Sequence, residues 1–271
     1  MTTVKEKYGF LPTSVWHIPK KNKVYDIFKD DGIPRTNKRT DKSFLPNLKL
    51  SEFNPNVAER VIKYWSEEGD IVFDCFSGRA TRGLVSIMNK RNYIGYEISP
   101  VTYNWVKKQI DGFNCNRLVE NKYKFDLRLG DGCEYHSEIE KESIDLIFTC
   151  PPYWNLEKYE SCEGQLSDCK TYKEFLISIY ACINECYRIL KQNKFSVWVV
   201  SDFRRNGYYS LHEDIINIHR ENGFVLWDIV INVLNSPFVS FKAGFNDKQK
   251  YTGKTHEYIL IFKKLNEATT K

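Results

Sequence analysis

One short segment combines residue types that could hold an aromatic amine. An apolar run from Ile144 to Cys150 leads directly into two prolines and two aromatic residues, Pro151, Pro152, Tyr153 and Trp154. Proline adds rigidity and removes a backbone donor, but its carbonyl still accepts hydrogen bonds. An aromatic ring beside a rigid acceptor can stack on a base that has left its duplex. The segment therefore predicts a site that grips the amino group of a nucleic-acid base.

The chemistry expected at such a site is alkylation of a poorly nucleophilic nitrogen. The lone pair of an exocyclic amine is delocalised into the ring, and acceptors that draw its hydrogens out of the ring plane return that pair to nitrogen. We assign the acceptor role to the Pro151 carbonyl and the stacking role to Tyr153, with Trp154 as a second surface. An alkyl donor held in line at near-attack distance would make a covalent enzyme intermediate unnecessary.

A second segment has the pattern of a nucleotide-type binding turn. Residues 72–83 run from an apolar strand through Asp74 and Gly78 to Gly83 at the start of a helical stretch. A dinucleotide site would have three glycines and would not place a carboxylate against a pyrophosphate. Asp74 instead suits a cationic ligand such as S-adenosylmethionine. Glu97 ends the next strand, where an acidic residue binds ribose hydroxyls in related nucleotide sites.

The remaining charged segments offer candidate contacts to a polyanion. The net charge is +5, and basic residues crowd the stretch before residue 50. Arg204 and Arg205 follow a strand on the side where open sheets bind ligands. Between the last two strands, basic and aromatic residues interleave as in base-stacking surfaces, and Lys242, Lys248 and Lys250 are the cations we assign to nucleic acid. An ordinary turn and an exposed loop explain these two segments equally well.

No metal site is expected from the sequence. The eight cysteines are scattered through apparent strands and helices, which indicates reduced thiols. Cys182 and Cys186 are one helical turn apart, but neither they nor Cys162 and Cys169 have the spacing typical of zinc sites. The histidines at 136, 212 and 219 are interpreted as surface or satisfied side chains.

The elements that must position these residues follow an α/β pattern. Five strands, 71–76, 93–98, 125–129, 144–150 and 195–201, alternate with amphipathic stretches at 81–90, 100–111, 172–192 and 210–222. This alternation predicts a mostly parallel sheet with helices on both faces. Two long strand-like runs, 224–234 and 256–263, follow without a helix between them and predict a final antiparallel pair.

Together these motifs resemble the S-adenosylmethionine-dependent DNA amino-methyltransferases that modify adenine N6 or cytosine N4, as found in phages and bacteria. The resemblance covers residues 50–264 and implies a single Rossmann-like sheet of seven strands, with S-adenosylmethionine as cofactor. It implies a catalytic segment at Cys150, Pro151, Pro152, Tyr153 and Trp154. The cofactor residues that it implies are Asn54, Asp74, Phe76, Gly78, Thr81, Glu97, Ile98, Asp131, Gly132 and Cys150.

Two positions depart from the family pattern. Ala80 stands where a second glycine is usual in the cofactor turn, and this could tighten the approach of the methionine moiety. Cys150 stands where the family has Asp, Asn or Ser, and sulfur is a weaker acceptor than oxygen. These departures leave the choice between adenine and cytosine open. They also motivate two alternatives, an amino-methyltransferase acting on RNA and a catalytically silent subunit that binds cofactor or nucleic acid.

The expected organisation is one enzyme domain with appendages. We interpret residues 1–50 as a basic arm and residues 51–271 as the methyltransferase domain, with the insert 155–170 and the loop 235–255 as candidate DNA-contacting elements. The partner expected is double-stranded DNA with the target base flipped out, and a homodimer is possible. No apolar stretch is long enough for a membrane span, and we expect a cytoplasmic protein of a bacterial or phage-infected cell that serves restriction-modification.

Overall fold

The fold is built on a twisted sheet of eight strands. The computed structural model describes residues 3–18, 53–114, 122–154, 161–234, 248 and 250–266. The strands are β1 (Val15–His17), β2 (Ile71–Asp74), β3 (Asn92–Glu97), β4 (Phe125–Leu129), β5 (Ile144–Thr149), β6 (Leu190–Val200), β9 (Val225–Val233) and β10 (His256–Lys263), and β7 (Phe203–Arg204) pairs separately with β8 (Tyr208–Tyr209). The order across the sheet is β1-β9-β10-β6-β5-β2-β3-β4.

Six helices accompany these strands in the described residues. They are α1 (Val4–Tyr8), α2 (Pro55–Trp65), α3 (Thr81–Met88), α4 (Pro100–Asn114), α5 (Tyr172–Ile189) and α6 (Leu211–Glu221), with a short 3-10 turn at Leu166–Asp168. Thr171 caps α5 by accepting a hydrogen bond from the Glu174 amide, and the Glu174 carboxylate accepts one from the Thr171 amide. Within the described part of the chain, no helix is both long enough and apolar enough to cross a membrane.

The connectivity confirms the predicted α/β class. Strands β2 to β6 are parallel neighbours, and β10 runs antiparallel to both β6 and β9. Alternate residues of a strand face opposite sides of a sheet. In β5, Ile147 packs with α5 and α6 on one side, while Leu146 and Phe148 pack with α2 on the other. The central strands are therefore buried on both faces, which explains their nearly continuous apolar sequence.

The sheet has one strand more than the predicted seven. Val15–His17 adds to the end of the sheet parallel to β9, with Val15 opposite Ile231. Trp16 is only 1% exposed, and its ring contacts Phe10. The segment before residue 19 is thus partly built into the fold instead of lying outside it as an arm, and residues 19–52 lie outside the described residues. Three residues are too few to show a strand period, so β1 could not be predicted from the sequence.

Candidate functional site

Asp74, at the end of β2, connects the two segments singled out in the sequence. Its buried carboxylate accepts hydrogen bonds from the Arg82 Nε atom at 2.7 Å and from the Thr149 hydroxyl at 2.7 Å. Arg82 lies on α3, whereas Thr149 ends β5. We call residues 75–80 the glycine turn and residues 149–154 the proline loop. Asp74 thus forms hydrogen bonds both with Arg82, which follows the glycine turn, and with Thr149, which begins the proline loop. The glycine turn and the proline loop therefore lie at the same end of the parallel strands.

This placement differs from the role predicted for Asp74. The carboxylate is fully buried and neutralised by Arg82, which is itself 4% exposed. Asp74 does not line the cleft beside the glycine turn. The negative charge of Asp74 is therefore neutralised by Arg82 of the same chain. The sequence indicated the carboxylate but not this ion-pair partner.

The glycine turn leaves backbone open to the cleft. Gly78 has φ +55°, and a Cβ atom there would meet only the Phe76 carbonyl at 4.0 Å. A small ligand can approach this backbone closely. Ala80 also lies in the left-handed region, with φ 56°, and begins α3. Its methyl group packs against Val106 and Leu127 and not into the cleft, so the alanine does not narrow the site as expected from the sequence.

Glu97, at the end of β3, is a carboxylate poised to meet hydrogen-bond donors. It lines the cleft and accepts a 2.9 Å hydrogen bond from the Ser99 amide. Burial raises the pKa of this carboxyl to about 7, although the backbone amides of Ser99 and Gly78 act in the opposite direction. A pair of hydroxyl groups that donated to Glu97 would stabilise its ionised form.

The segment after β4 forms the opposite wall of the cleft. The Asp131 carboxylate accepts a 2.8 Å hydrogen bond from the Cys133 amide. A Cβ atom on Gly132 would lie 2.1 Å from the Cys75 carbonyl, so only glycine fits against the glycine turn. A Cβ atom on Gly164 would lie 2.7 Å from an Asp131 oxygen and 3.1 Å from Ile98. An acceptor and an apolar side chain therefore stand side by side, which suits an aromatic ring bearing an amino group.

The described part of the insert 155–170 belongs to this wall. Gly164, Gln165 and Leu166 line the cleft, while residues 155–160 lie outside the described residues. Through these three residues the described part of the insert forms part of the cleft wall and is not an outlying loop.

The proline loop forms the other end of the cleft. Cys150, Pro151, Pro152 and Tyr153 all line it; Pro151 is buried, and Tyr153 is half-buried. Lys254 approaches from the loop before β10: its ammonium group donates to the Asp202 carbonyl and lies 5.9 Å from the centre of the Tyr153 ring. An aromatic face and a cation thus adjoin the carbonyl-bearing prolines.

Trp154 has a supporting position and does not line the cleft. Its indole N–H donates a 2.9 Å hydrogen bond to the Cys169 carbonyl. Its ring lies 5.5 Å from the Tyr172 ring and 5.5 Å from the Tyr209 ring. Trp154 therefore anchors the end of the proline loop to α5 and β8. The sequence predicted a second stacking surface at Trp154, but its ring makes these supporting contacts instead.

A single cleft joins all these groups. Its empty volume is about 1000 Å³, open solvent included. Of the sequence-predicted cofactor and catalytic residues, it brings together Phe76, Gly78, Thr81, Glu97, Ile98, Asp131, Gly132, Cys150, Pro151, Pro152 and Tyr153. Asn54 is not among the lining residues; its side chain caps α2 by accepting a 3.0 Å hydrogen bond from the Asn56 amide.

Several lining residues were missed by sequence reasoning. Phe53 precedes the predicted Asn54, lines the cleft and packs 5.7 Å from the Phe148 ring. Ser99 and Thr102 follow Glu97, and the Ser99 hydroxyl accepts a 3.1 Å hydrogen bond from the Thr102 amide. This helix-capping pattern could have been recognised in the sequence and would have pointed to these two residues. The others are Cys75, Ser77, Arg79, Arg82, Tyr96, Gly164, Gln165 and Leu166.

The predicted nucleic-acid contacts lie outside the cleft. Arg204 and Arg205 are exposed on the β7–β8 hairpin, and the Arg204 guanidinium lies 4.5 Å from the centre of the Tyr251 ring. Lys248 and Lys250 are also exposed. Arg204 and Tyr251 bring the hairpin and the loop before β10 together. Lys242 and the rest of 235–247 lie outside the described residues.

Comparison with known proteins places these features in one family. A family model described as a DNA methylase matches residues 3–108 and 144–271. The orphan methyltransferase M.BamHII of Bacillus amyloliquefaciens is 51% identical over 47 residues, which are 17% of this chain and 18% of that protein. The type II methyltransferase M.MjaI of Methanocaldococcus jannaschii is 28% identical over 156 residues, which are 47% of this chain and 52% of that protein.

The alignments therefore span about half of M.MjaI and a smaller part of M.BamHII. Among solved structures, an S-adenosylmethionine-dependent methyltransferase from Methanosarcina mazei superposes with a TM-score of 0.52 at 11% identity, over 76% of this chain and 98% of that one. Identity at this level shows a shared fold alone. The family model, by contrast, matches most of the sequence, and it confirms the predicted resemblance: this chain belongs to the N6/N4 DNA methylase family.

Proposed function

We propose that this protein transfers a methyl group from S-adenosylmethionine to the exocyclic amino nitrogen of a base flipped out of DNA, either adenine N6 or cytosine N4. The observation that carries the proposal is the Asp74 network. It holds the glycine turn and the proline loop at the two ends of one cleft. A methyl donor at one end and an amine at the other would then meet inside the same enclosure.

The residues around the glycine turn fit the cofactor. Glu97 offers a buried carboxylate to the ribose hydroxyls, and Asp131 beside Ile98 offers an acceptor and an apolar face to the adenine ring. The open backbone at Gly78 admits the methionine portion. When bound, S-adenosylmethionine supplies a methyl group activated by its positively charged sulfur. The family membership supports this cofactor over a dinucleotide.

The proline loop fits the target amine. The Pro151 carbonyl and Cys150 accept its hydrogens, which restores nucleophilic character to the nitrogen, and the Tyr153 ring stacks on the base. Loss of the positive charge as the methyl group moves is favoured in a site that excludes water. Lys254, beside Tyr153, can donate to an acceptor atom on the edge of the base. These roles require no covalent bond to the protein.

DNA is the favoured polymer because the family is a DNA methylase family. Arg204, Arg205, Lys248 and Lys250 are exposed cations that can neutralise phosphates. We further propose that the enzyme works in the cytoplasm of a bacterial or phage-infected cell as a modification methyltransferase, alone or as a homodimer. Sedimentation with and without a DNA duplex tests the last point.

The proposal is tested by incubating the protein with tritiated S-adenosylmethionine and DNA of varied sequence, with RNA as a parallel acceptor. Nucleosides from the digested polymer are then identified by mass. We expect N6-methyladenine or N4-methylcytosine in DNA. Label in RNA alone would support the RNA alternative and contradict the DNA substrate. Binding of the cofactor without transfer to either polymer, unchanged by Cys150→Asp, would support a silent subunit.

A further inference from the structure

Four cysteines from three separate segments of the chain lie close together at the glycine turn. Cys75 belongs to the turn, Cys133 follows Gly132, and Cys182 and Cys186 occupy successive turns of α5. Their exposed fractions are 2%, 6%, 0% and 0%, respectively. All the cysteines in the described residues are free thiols. This gathering is a feature of the tertiary fold, because the sequence itself shows none of the usual paired spacings.

Three of the sulfur atoms have the separations of a metal-binding set. The Sγ atoms of Cys75, Cys182 and Cys186 all lie within 4.8 Å of one another, and those of Cys75 and Cys186 are 3.4 Å apart. Three sulfurs at about 2.3 Å from a shared zinc ion would be separated by about 4 Å. The side chains therefore need shifts of less than about 1 Å to take this geometry.

Two further donors adjoin the three sulfurs. The Cys133 thiol interacts with the Cys182 thiol. The buried His136 side chain interacts electrostatically with Cys75, and its Nε2 atom has no hydrogen-bond partner among the described residues. An unsatisfied buried nitrogen is costly unless it binds something, so His136 does not fit the satisfied role expected from the sequence. Neither side chain belongs to the set whose ligand atoms lie within 4.8 Å of one another, so completing a four-coordinate shell with either would need a further side-chain movement.

We propose that Cys75, Cys182 and Cys186 form a binding site for a thiophilic divalent cation of the zinc type, between the glycine turn and α5. Thiolates are the ligands that soft and borderline cations prefer. Binding one divalent ion to three neutral thiols releases three protons and leaves a unit with one negative charge, to which a neutral fourth donor adds no charge. Cys75 also lines the cleft, which provides a path of entry.

The bound ion would join the glycine turn to α5. Cys75 sits between Asp74 and Phe76, and its carbonyl touches Gly132, so a bond from its sulfur to α5 would fix the turn from below. A buried thiol used only as a small apolar residue would do none of this. A metal-binding role and a purely apolar role for these cysteines therefore make different predictions, because only the first requires the chain to bind a cation.

The direct test is a cadmium titration of the full chain, treated with a chelator and kept reduced without added thiols. Thiolate-to-cadmium charge-transfer absorption in the ultraviolet counts the bound ion. We expect one equivalent for the unaltered chain and for Cys169→Ala, a half-buried cysteine outside the cluster. Cys182→Ala and Cys186→Ala should each weaken binding by about tenfold or more. The proposal would be overturned if no absorption appeared at excess cadmium, or if both cluster variants bound cadmium as tightly as the unaltered chain.

A second measurement avoids variants that fail to fold. Alkylation of the unaltered protein, with and without zinc, is followed by peptide mass analysis. Zinc should slow modification of Cys75, Cys182 and Cys186 and leave Cys162 and Cys169 unaffected. The thermal midpoint should rise when zinc is added. If zinc left the modification rates of Cys75, Cys182 and Cys186 unchanged, the site would be refuted even if the alanine variants could not be purified.

Discussion

The Thr149 hydroxyl donates a 2.7 Å hydrogen bond to the Asp74 carboxylate, and this bond links the last residue of β5 to the last residue of β2. Both side chains are fully buried. Asp74 directly precedes the glycine turn, and Thr149 is the first residue of the proline loop. Since both loops depend on it, the spacing between the two ends of the cleft is set by a contact inside the sheet.

Replacing Thr149 by valine tests this coupling. Thr149→Val keeps the shape but leaves an Asp74 oxygen with one donor fewer, and we expect a loss of about 1–3 kcal/mol in the free energy of unfolding. Methyl transfer should fall by more than cofactor affinity, because the proline loop loses its tie to β2. Urea unfolding and single-turnover kinetics measure the two effects.

The matched control is Ser86→Ala, which removes another buried hydroxyl, bonded at 2.8 Å to the Arg82 carbonyl within α3. It should cost stability but leave transfer in the folded fraction unchanged. If Thr149→Val were no more damaging to transfer than Ser86→Ala, the coupling would be wrong.

The pH dependence of cofactor binding should follow Glu97, whose pKa burial raises to about 7. Hydroxyl donors favour the ionised carboxylate, so the dissociation constant should increase as pH falls below 7, by up to about tenfold per pH unit. The contribution of Glu97 to the stability of the ligand-free protein has the opposite pH dependence. A carboxyl whose folded pKa exceeds its ordinary value of 4.5 makes the ligand-free protein more stable as pH falls from 7 towards 4.5.

Calorimetric titration at several pH values checks the binding trend. Glu97→Gln should bind more weakly near pH 8 and show a nearly flat profile, because its amide does not titrate. A wild-type profile as flat as that of the glutamine variant would show that Glu97 does not meet the cofactor.

Cys150 should limit the rate more than the affinity. Sulfur accepts hydrogen bonds more weakly than oxygen, and Cys150 stands at the start of the proline loop. Cys150→Ser should therefore raise the single-turnover rate of methyl transfer, by roughly threefold to tenfold for a gain of about 1 kcal/mol. Cys150→Ala should lower it, with cofactor affinity little changed in both variants. A serine variant as slow as the alanine variant would remove Cys150 from the amine-binding group.

Gly132 should tolerate no side chain. A Cβ atom there would lie 2.1 Å from the Cys75 carbonyl, so Gly132→Ala must push the backbone away from the glycine turn. We expect a loss of about 1–3 kcal/mol or more in the free energy of unfolding, together with weaker cofactor binding. Gly207→Ala is the control because a Cβ atom there has nothing within 4 Å. Chemical denaturation of both variants decides the matter, and equal stabilities would contradict the close approach.

Local sequence predicted the parts of the site that are built locally. The glycine turn around Gly78, Glu97 at a strand end and the proline loop were all located because each depends on residues adjacent in the chain. The strands and helices followed from apolar periodicity for the same reason.

What the sequence did not show depends on partners distant in the chain or on which way a side chain faces. Asp74 was expected to meet a ligand, but Arg82 and Thr149 occupy it. Trp154 faces the Cys169 carbonyl and not the cleft. The convergence of Cys75 with Cys182 and Cys186 was hidden because more than a hundred residues separate them.

The pairing of β1 with β9 has a consequence for how the chain reaches its native state. Val15–His17 is synthesised about two hundred residues before its partner segment Ile231–Val233. Domains acquire their final packing only when the contributing segments are present. The Arg60 guanidinium lies 5.4 Å from the centre of the Trp16 ring, so α2 also contacts this late-forming corner. The helix that begins beside Phe53 can therefore become fully packed only after Ile231–Val233 has been translated.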